Sequence, residues 1–126
     1  MSTILIADDS KFMRVHIKHL LLEHGSYDII EAADGKQAIN LYKRLQPDLV
    51  VLDITMPHVD GLATLKEIMN IDDSATVVMC SSMGTQSNIT ESLQLGACDF
   101  IIKPHFDRLI DILNNLVTNN KLKRSE

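Results

Sequence analysis

Five polar side chains stand where an apolar run stops: Asp8 and Asp9 after TILIA, Asp53 after LVVL, Ser81 after TVVMC, and Lys103 after DFII. A carboxylate at the end of an apolar run is costly unless something pairs with it. Three carboxylates in one pocket repel and raise each other's pKa unless a cation joins them. Oxygen-only ligands favour a hard ion. Mg²⁺, with Mn²⁺ as a second candidate, takes a couple of carboxylates, keeps several waters and leaves room for a phosphoryl oxygen. Lys103 adds a mobile point charge, and the Ser81 hydroxyl one more hydrogen bond. A nucleophilic carboxylate beside a metal, a lysine and a hydroxyl suits acceptance of a phosphoryl group. Acyl transfer lacks its Ser–His pair, because no His falls at a strand end beside Ser81 or Ser82. The sequence has neither a GxGxxG nor a P-loop.

For these groups to meet, their elements must end at one level. Residues 3–7 suit a strand. Ser10 can cap a helix running to about His24, with Met13, Ile17, Leu20 and Leu21 on one face and Gly25 as its stop. Residues 27–33 suit a second strand, less apolar and so nearer an edge. Residues 34–45 form an amphipathic helix through Ala38, Ile39, Leu41, Tyr42 and Leu45, ended by Pro47. The third strand, 48–53, is apolar enough to be buried on both faces. A helix over 61–70 carries Leu62, Leu65, Ile68 and Met69, and 75–81 is a fourth strand. A weak helix over 87–95 has Ile89 and Leu93 as its apolar pair and Gly96 as its stop. A fifth strand spans 98–103, and a last helix over 107–118 faces Leu109, Leu113, Leu116 and Val117 inward. Strands separated by single helices predict right-handed crossovers and a doubly wound α/β fold, its parallel sheet covered on both faces. Function then gathers at the carboxyl ends of the strands, where the polar five sit.

At 126 residues, 45% apolar and 23% charged, the chain suits one globular domain. A net charge of −5 disfavours nonspecific binding to nucleic acid or an anionic membrane. The basic cluster KLKR at 121–124 is expected to be solvated, and the lack of Trp argues against base stacking. MSTILIADDS has no basic start and too short an apolar run for an export signal, and no stretch reaches membrane-spanning length. Cys80 and Cys98 lack metal or redox spacing and are expected as buried, reduced thiols in cytoplasm. His16 and His19 share a helix face without a third ligand and are expected in solvent. His58 is expected as a loop residue able to tune phosphoryl lifetime. Met13, Met56, Met69 and Met79 are expected in packing.

Four motifs occur in order, each at a strand end: ADDS, LDITMPHVDG, CSSMG and DFIIKP. Together they resemble the receiver domains of two-component response regulators over the whole chain, and most of all single-domain chemotaxis receivers of the CheY type. The resemblance implies a flavodoxin-like sheet of order 2-1-3-4-5. It implies that Asp53 takes a phosphoryl group from the phosphohistidine of a sensor histidine kinase, with slow autodephosphorylation and no other enzymatic activity. Asp8, Asp9, Asp53 and the backbone carbonyl of Thr55 would hold Mg²⁺, with Asp9 as a direct ligand. Lys103 would pair with the phosphoryl group, and Lys103-Pro104 would be cis, although most X–Pro bonds are trans. Ser81 would be the switch hydroxyl, drawn in by the new dianion, and Phe100 the switch aromatic, turning inward afterwards. A downstream partner would read the face made by the fourth helix, fifth strand and fifth helix. The fourth helix, weakly anchored by its thin stripe, would shift at low cost. A cytoplasmic monomer follows, one receiver domain over 1–126 with 119–126 as a flexible tail and no direct contact with nucleic acid or membrane.

One departure stands out. The family usually has an aromatic directly after Lys-Pro, and this chain has His105 and then Phe106. The inward residues of the last helix also fall one position early, which predicts a shorter connecting loop. The sequence also allows a receiver from a longer DNA-binding regulator, with TNNKLKRSE starting a linker, a phosphorelay intermediate, or a non-phosphorylated interaction module.

Overall fold

Short, continuous apolar runs in the strands and helical periodicity between them produce a three-layer α/β molecule. The computed structural model describes residues 2–123. The elements are β1 (Thr3–Ala7), α1 (Lys11–Leu22), β2 (Asp28–Ala32), α2 (Gly35–Leu45), β3 (Leu49–Asp53), α3 (Gly61–Ile71), β4 (Val77–Ser81), α4 (Gln86–Gln94), β5 (Asp99–Ile102) and α5 (Asp107–Thr118). All strand pairs are parallel, in the expected order β2-β1-β3-β4-β5. β2 lies at an edge, as its mixed composition predicts, while every residue of β3 and β4 is buried.

Alternate residues of each strand feed two cores. Ile4, Ile6, Val51, Val78 and Ile101 meet Ile17 and Leu21 of α1 and Leu109 and Leu113 of α5. Leu5, Val50, Leu52, Val77 and Met79 meet Ala38 and Tyr42 of α2 and Leu65 and Ile68 of α3. Each fully buried Leu or Ile contributes about 1.5–3 kcal/mol, so the two cores fix which strand ends lie level. Side-chain caps start the helices near those ends. Ser10 Oγ accepts from Met13 N (3.2 Å), Asp34 from Gln37 N (2.8 Å), Asp60 from Ala63 N (2.8 Å) and Thr85 from Asn88 N (3.1 Å).

Several expectations need correction. Strands begin or end one or two residues inside the apolar runs. The fourth starts at Val77, because Ala75 is held in a turn by its N–H bond to Asp72 O (3.1 Å). In α4, Leu93 is 49% exposed and the fully buried residue is Ser92, with Ile89 half-buried. Leu45 is exposed at the end of α2. Cys80 is buried as expected, but Cys98 is exposed, because it precedes β5 rather than lying within it. Nor do residues 119–123 trail away. Leu122 is buried among the α5-side core residues, and Lys123 N donates to Ser2 Oγ at 2.8 Å. The rest of the expected tail, with Arg124 of the basic cluster, lies outside the described residues. Among the described residues no helix is long and apolar enough to cross a membrane.

Candidate functional site

Register brings the polar strand ends together. Ala7 pairs with Leu52, so Asp8 and Asp53 leave adjacent strands at the same level, one strand spacing apart. Asp53 in turn pairs with Cys80, and Ser81 with Ile102. Carboxylate oxygens of Asp8, Asp9 and Asp53 all lie within 4.8 Å of one another, with Asp8 and Asp53 buried and Asp9 exposed. Lys103 follows β5 and reaches back across the sheet. Its Nζ lies 2.7 Å from Asp8 Oδ2 and 3.3 Å from Asp53 Oδ1. The other Asp8 oxygen accepts from Ser10 N at 2.9 Å, so the turn into α1 holds that carboxylate from behind.

The charges do not balance. Two buried carboxylates share one ammonium, and the shorter contact goes to Asp8. Burial and the neighbouring Asp8 charge push the Asp53 carboxyl up to about 6, against the pull of Lys103 and of the Thr55 N–H that hydrogen-bonds to it. For Lys103 the balance runs the other way. Burial works to lower its pKa, but the Asp8 hydrogen bond and the charges of Asp53 and Asp8 leave it raised, and it stays an ammonium. Asp53 is therefore a carboxylate short of positive charge, at the mouth of a cluster that one exposed carboxylate opens to solvent.

The loop after β3 is shaped to leave that mouth open. Met56 is buried and anchors it, and His58, exposed, takes a left-handed φ of 68°. Gly61 N donates to Ile54 O at 2.6 Å, and a Cβ at Gly61 would collide with the Asp53 carbonyl oxygen. Only glycine lets α3 start this close to the strand end. On the other side, Ser81 is buried and accepts from Met83 N at 3.0 Å, while Ser82 is exposed. A hydroxyl that accepts still has its own proton to donate. Asn88 of α4 donates to Met83 O at 3.1 Å and ties this loop to the helix. Phe100 is only 4% exposed and lies in the core with Leu65 and Met79. The Lys103-Pro104 bond is cis, as the resemblance implies. His105 is exposed. Phe106, one residue later, is the buried aromatic, and its ring packs on His16 at 5.6 Å between centroids. His19 is exposed as expected.

Sequence reading passed over Arg14. Its Nη1 donates to the backbone carbonyl of Asp8 at 2.7 Å and its Nε pairs with Glu31 Oε1 at 2.9 Å. The available signal was an arginine four residues after the Ser10 cap, with an acidic residue, Glu31, in the edge strand β2.

Residues 4–114 match the family model described as "Response regulator receiver domain". The chain belongs to this family. Its relatives among curated proteins include the chemotaxis protein CheY of Bacillus subtilis, 49% identical over 112 residues that cover 88% of this chain and 93% of that one. Protein CcdB of the same organism is 51% identical over 105 residues, covering 82% and 87%. Among solved structures, the chain is similar to one described as the CheX-CheY-BeF3-Mg²⁺ complex from Borrelia burgdorferi. The TM-score is 0.83 and the identity 36%, over 94% of this chain and 89% of that one. This receiver domain is thus a two-component signalling module with chemotaxis relatives.

Proposed function

We propose that this receiver accepts a phosphoryl group on Asp53 from the phosphohistidine of a sensor histidine kinase and signals through its surface as one unit, a monomer. The observation that carries this is the placement of three carboxylates within 4.8 Å with one lysine bridging two of them. An all-oxygen set, short of positive charge and open on the Asp9 side, fits Mg²⁺, which Asp8, Asp9, Asp53 and the Thr55 carbonyl would hold. When bound, Mg²⁺ supplies charge neutralisation and a ligand position for a phosphoryl oxygen.

One Asp53 oxygen attacks phosphorus as the P–N bond to the donor imidazole breaks. The imidazole leaves with that electron pair and takes up a proton. Lys103, already 3.3 Å from Asp53, turns its ammonium to the new phosphoryl oxygens. The Ser81 hydroxyl donates to another, which pulls on the loop that Asn88 ties to α4. Phe100, buried in the core, follows as the switch aromatic. A downstream target reads α4, β5 and α5, where Leu93 and Ile102 are exposed apolar side chains, with Met83 exposed in the loop before α4. The CheY relatives favour a target in chemotaxis.

Incubation with acetyl phosphate and Mg²⁺ should add one phosphoryl group by intact mass to the wild type and none to Asp53→Asn. Equal labelling of the two proteins would refute the assignment.

A further inference from the structure

We propose that Arg14 is a positioning residue, whose guanidinium clamps the Asp8–Asp9 peptide so that the exposed Asp9 carboxylate is aimed at the cation site. The inference deepens the reading above and rests on it. β1 ends at Ala7, so the Asp8 carbonyl has left the sheet. Arg14 Nη1 meets that oxygen at 2.7 Å, and the side chain that does so is only 13% exposed. Asp8 N donates to Ala32 O at 3.1 Å, and Asp8 Oδ1 accepts from Ser10 N at 2.9 Å. Residue 8 is thereby held at its N–H, its carbonyl and its side chain. The carbonyl bond also governs the next residue, because a planar peptide fixed at its oxygen fixes the direction in which Asp9 departs.

The choice of arginine follows from the geometry. The guanidinium donates in two directions from one rigid plane, to the Asp8 carbonyl and, through Nε, to Glu31 Oε1 at 2.9 Å. Glu31 lies on β2 and is paired in register with Ile6 on β1, so the fork is braced against the sheet itself. An ammonium is a point charge without that plane and would make at most a looser bridge. Asp9 has no comparable wall of its own, since it is exposed, and depends on its backbone for direction. Partners that orient a metal ligand typically alter metal affinity 10- to 100-fold when removed.

The test is Mg²⁺ affinity by calorimetry at constant ionic strength, with the metal-free melting temperature measured beside it. Arg14→Gln should weaken Mg²⁺ binding about tenfold. Arg14→Lys, which keeps the charge but not the fork, should recover only part of that loss. A merely structural role would lower the melting temperature and leave the Mg²⁺ dissociation constant where it was. An Arg14→Gln protein that binds Mg²⁺ within twofold of wild type overturns the clamp. Should that variant fail to fold, wild-type affinity in Arg14→Lys overturns it equally. Failure of wild type itself to bind Mg²⁺ would instead refute the cation site on which the inference rests.

Discussion

Burial of Asp53 and the charge of Asp8 beside it, only partly offset by Lys103 at 3.3 Å, decide how the metal-free site responds to pH. Asp53 holds its proton up to about pH 6, against 3.8 for the unperturbed group. The folded protein therefore binds this proton more tightly than the unfolded chain. Stability should rise as pH falls from 7 through 6 towards 4, and the ionised carboxylate costs the fold about 3 kcal/mol at pH 7. Asp53→Asn should show that gain already at pH 7 and lose this part of the pH dependence, measured by denaturant unfolding in chelator. Parallel pH profiles for the two proteins would contradict it. Asp8, Asp9, Asp53, Ser81 and Lys103 were legible because each follows an apolar run, where a polar residue is conspicuous. Arg14 was not, since a basic residue on an amphipathic helix looks like any solvated one, and only the fold shows that its head turns inward.

α4 is seated differently from the other helices. Its fully buried residue is Ser92, whose hydroxyl has no hydrogen-bond partner in the structure, and Leu93 faces outward. A hydropathy pattern ranks Leu93 above Ser92, which is why the sequence misplaced the inner face by one residue while placing the helix itself nearly correctly. A buried hydroxyl left unpaired weakens the seat, since its desolvation is uncompensated. Ser92→Ala should relieve that cost and raise stability by about 0.5–1 kcal/mol. A firmer seat should also resist displacement. Amide shifts on adding beryllofluoride and Mg²⁺ should shrink across 86–94 in Ser92→Ala while those at Asp53 persist. Unchanged α4 shifts would show that its seating does not govern its movement. β3 and β4 needed no such correction, because strands buried on both faces are apolar without interruption.

At the scale of the molecule, the five-unit α/β plan and its parallel sheet followed from strands alternating with single helices, while the strand order came from the family resemblance. The joining of the two ends did not. Leu122 stands between two lysines, and a single apolar residue in a polar stretch gives no periodicity to read. Yet Leu122 is 2% exposed, and Lys123 N meets Ser2 Oγ at 2.8 Å. The start of β1 and the stretch after α5 thus lie side by side at the foot of the sheet, opposite Asp53. Chain continuity at that point is not what holds the strands in order, so the polypeptide could be cut elsewhere and rejoined there. A circular permutant linking residue 123 to residue 2 through a few glycines, and opened in the exposed turn at Asp73-Ser74, leaves every strand pair and the whole carboxylate cluster on unbroken elements. It should fold and take up a phosphoryl group from acetyl phosphate to the same extent as the parent chain, and its two new ends would offer attachment points beside β4 rather than beside β1.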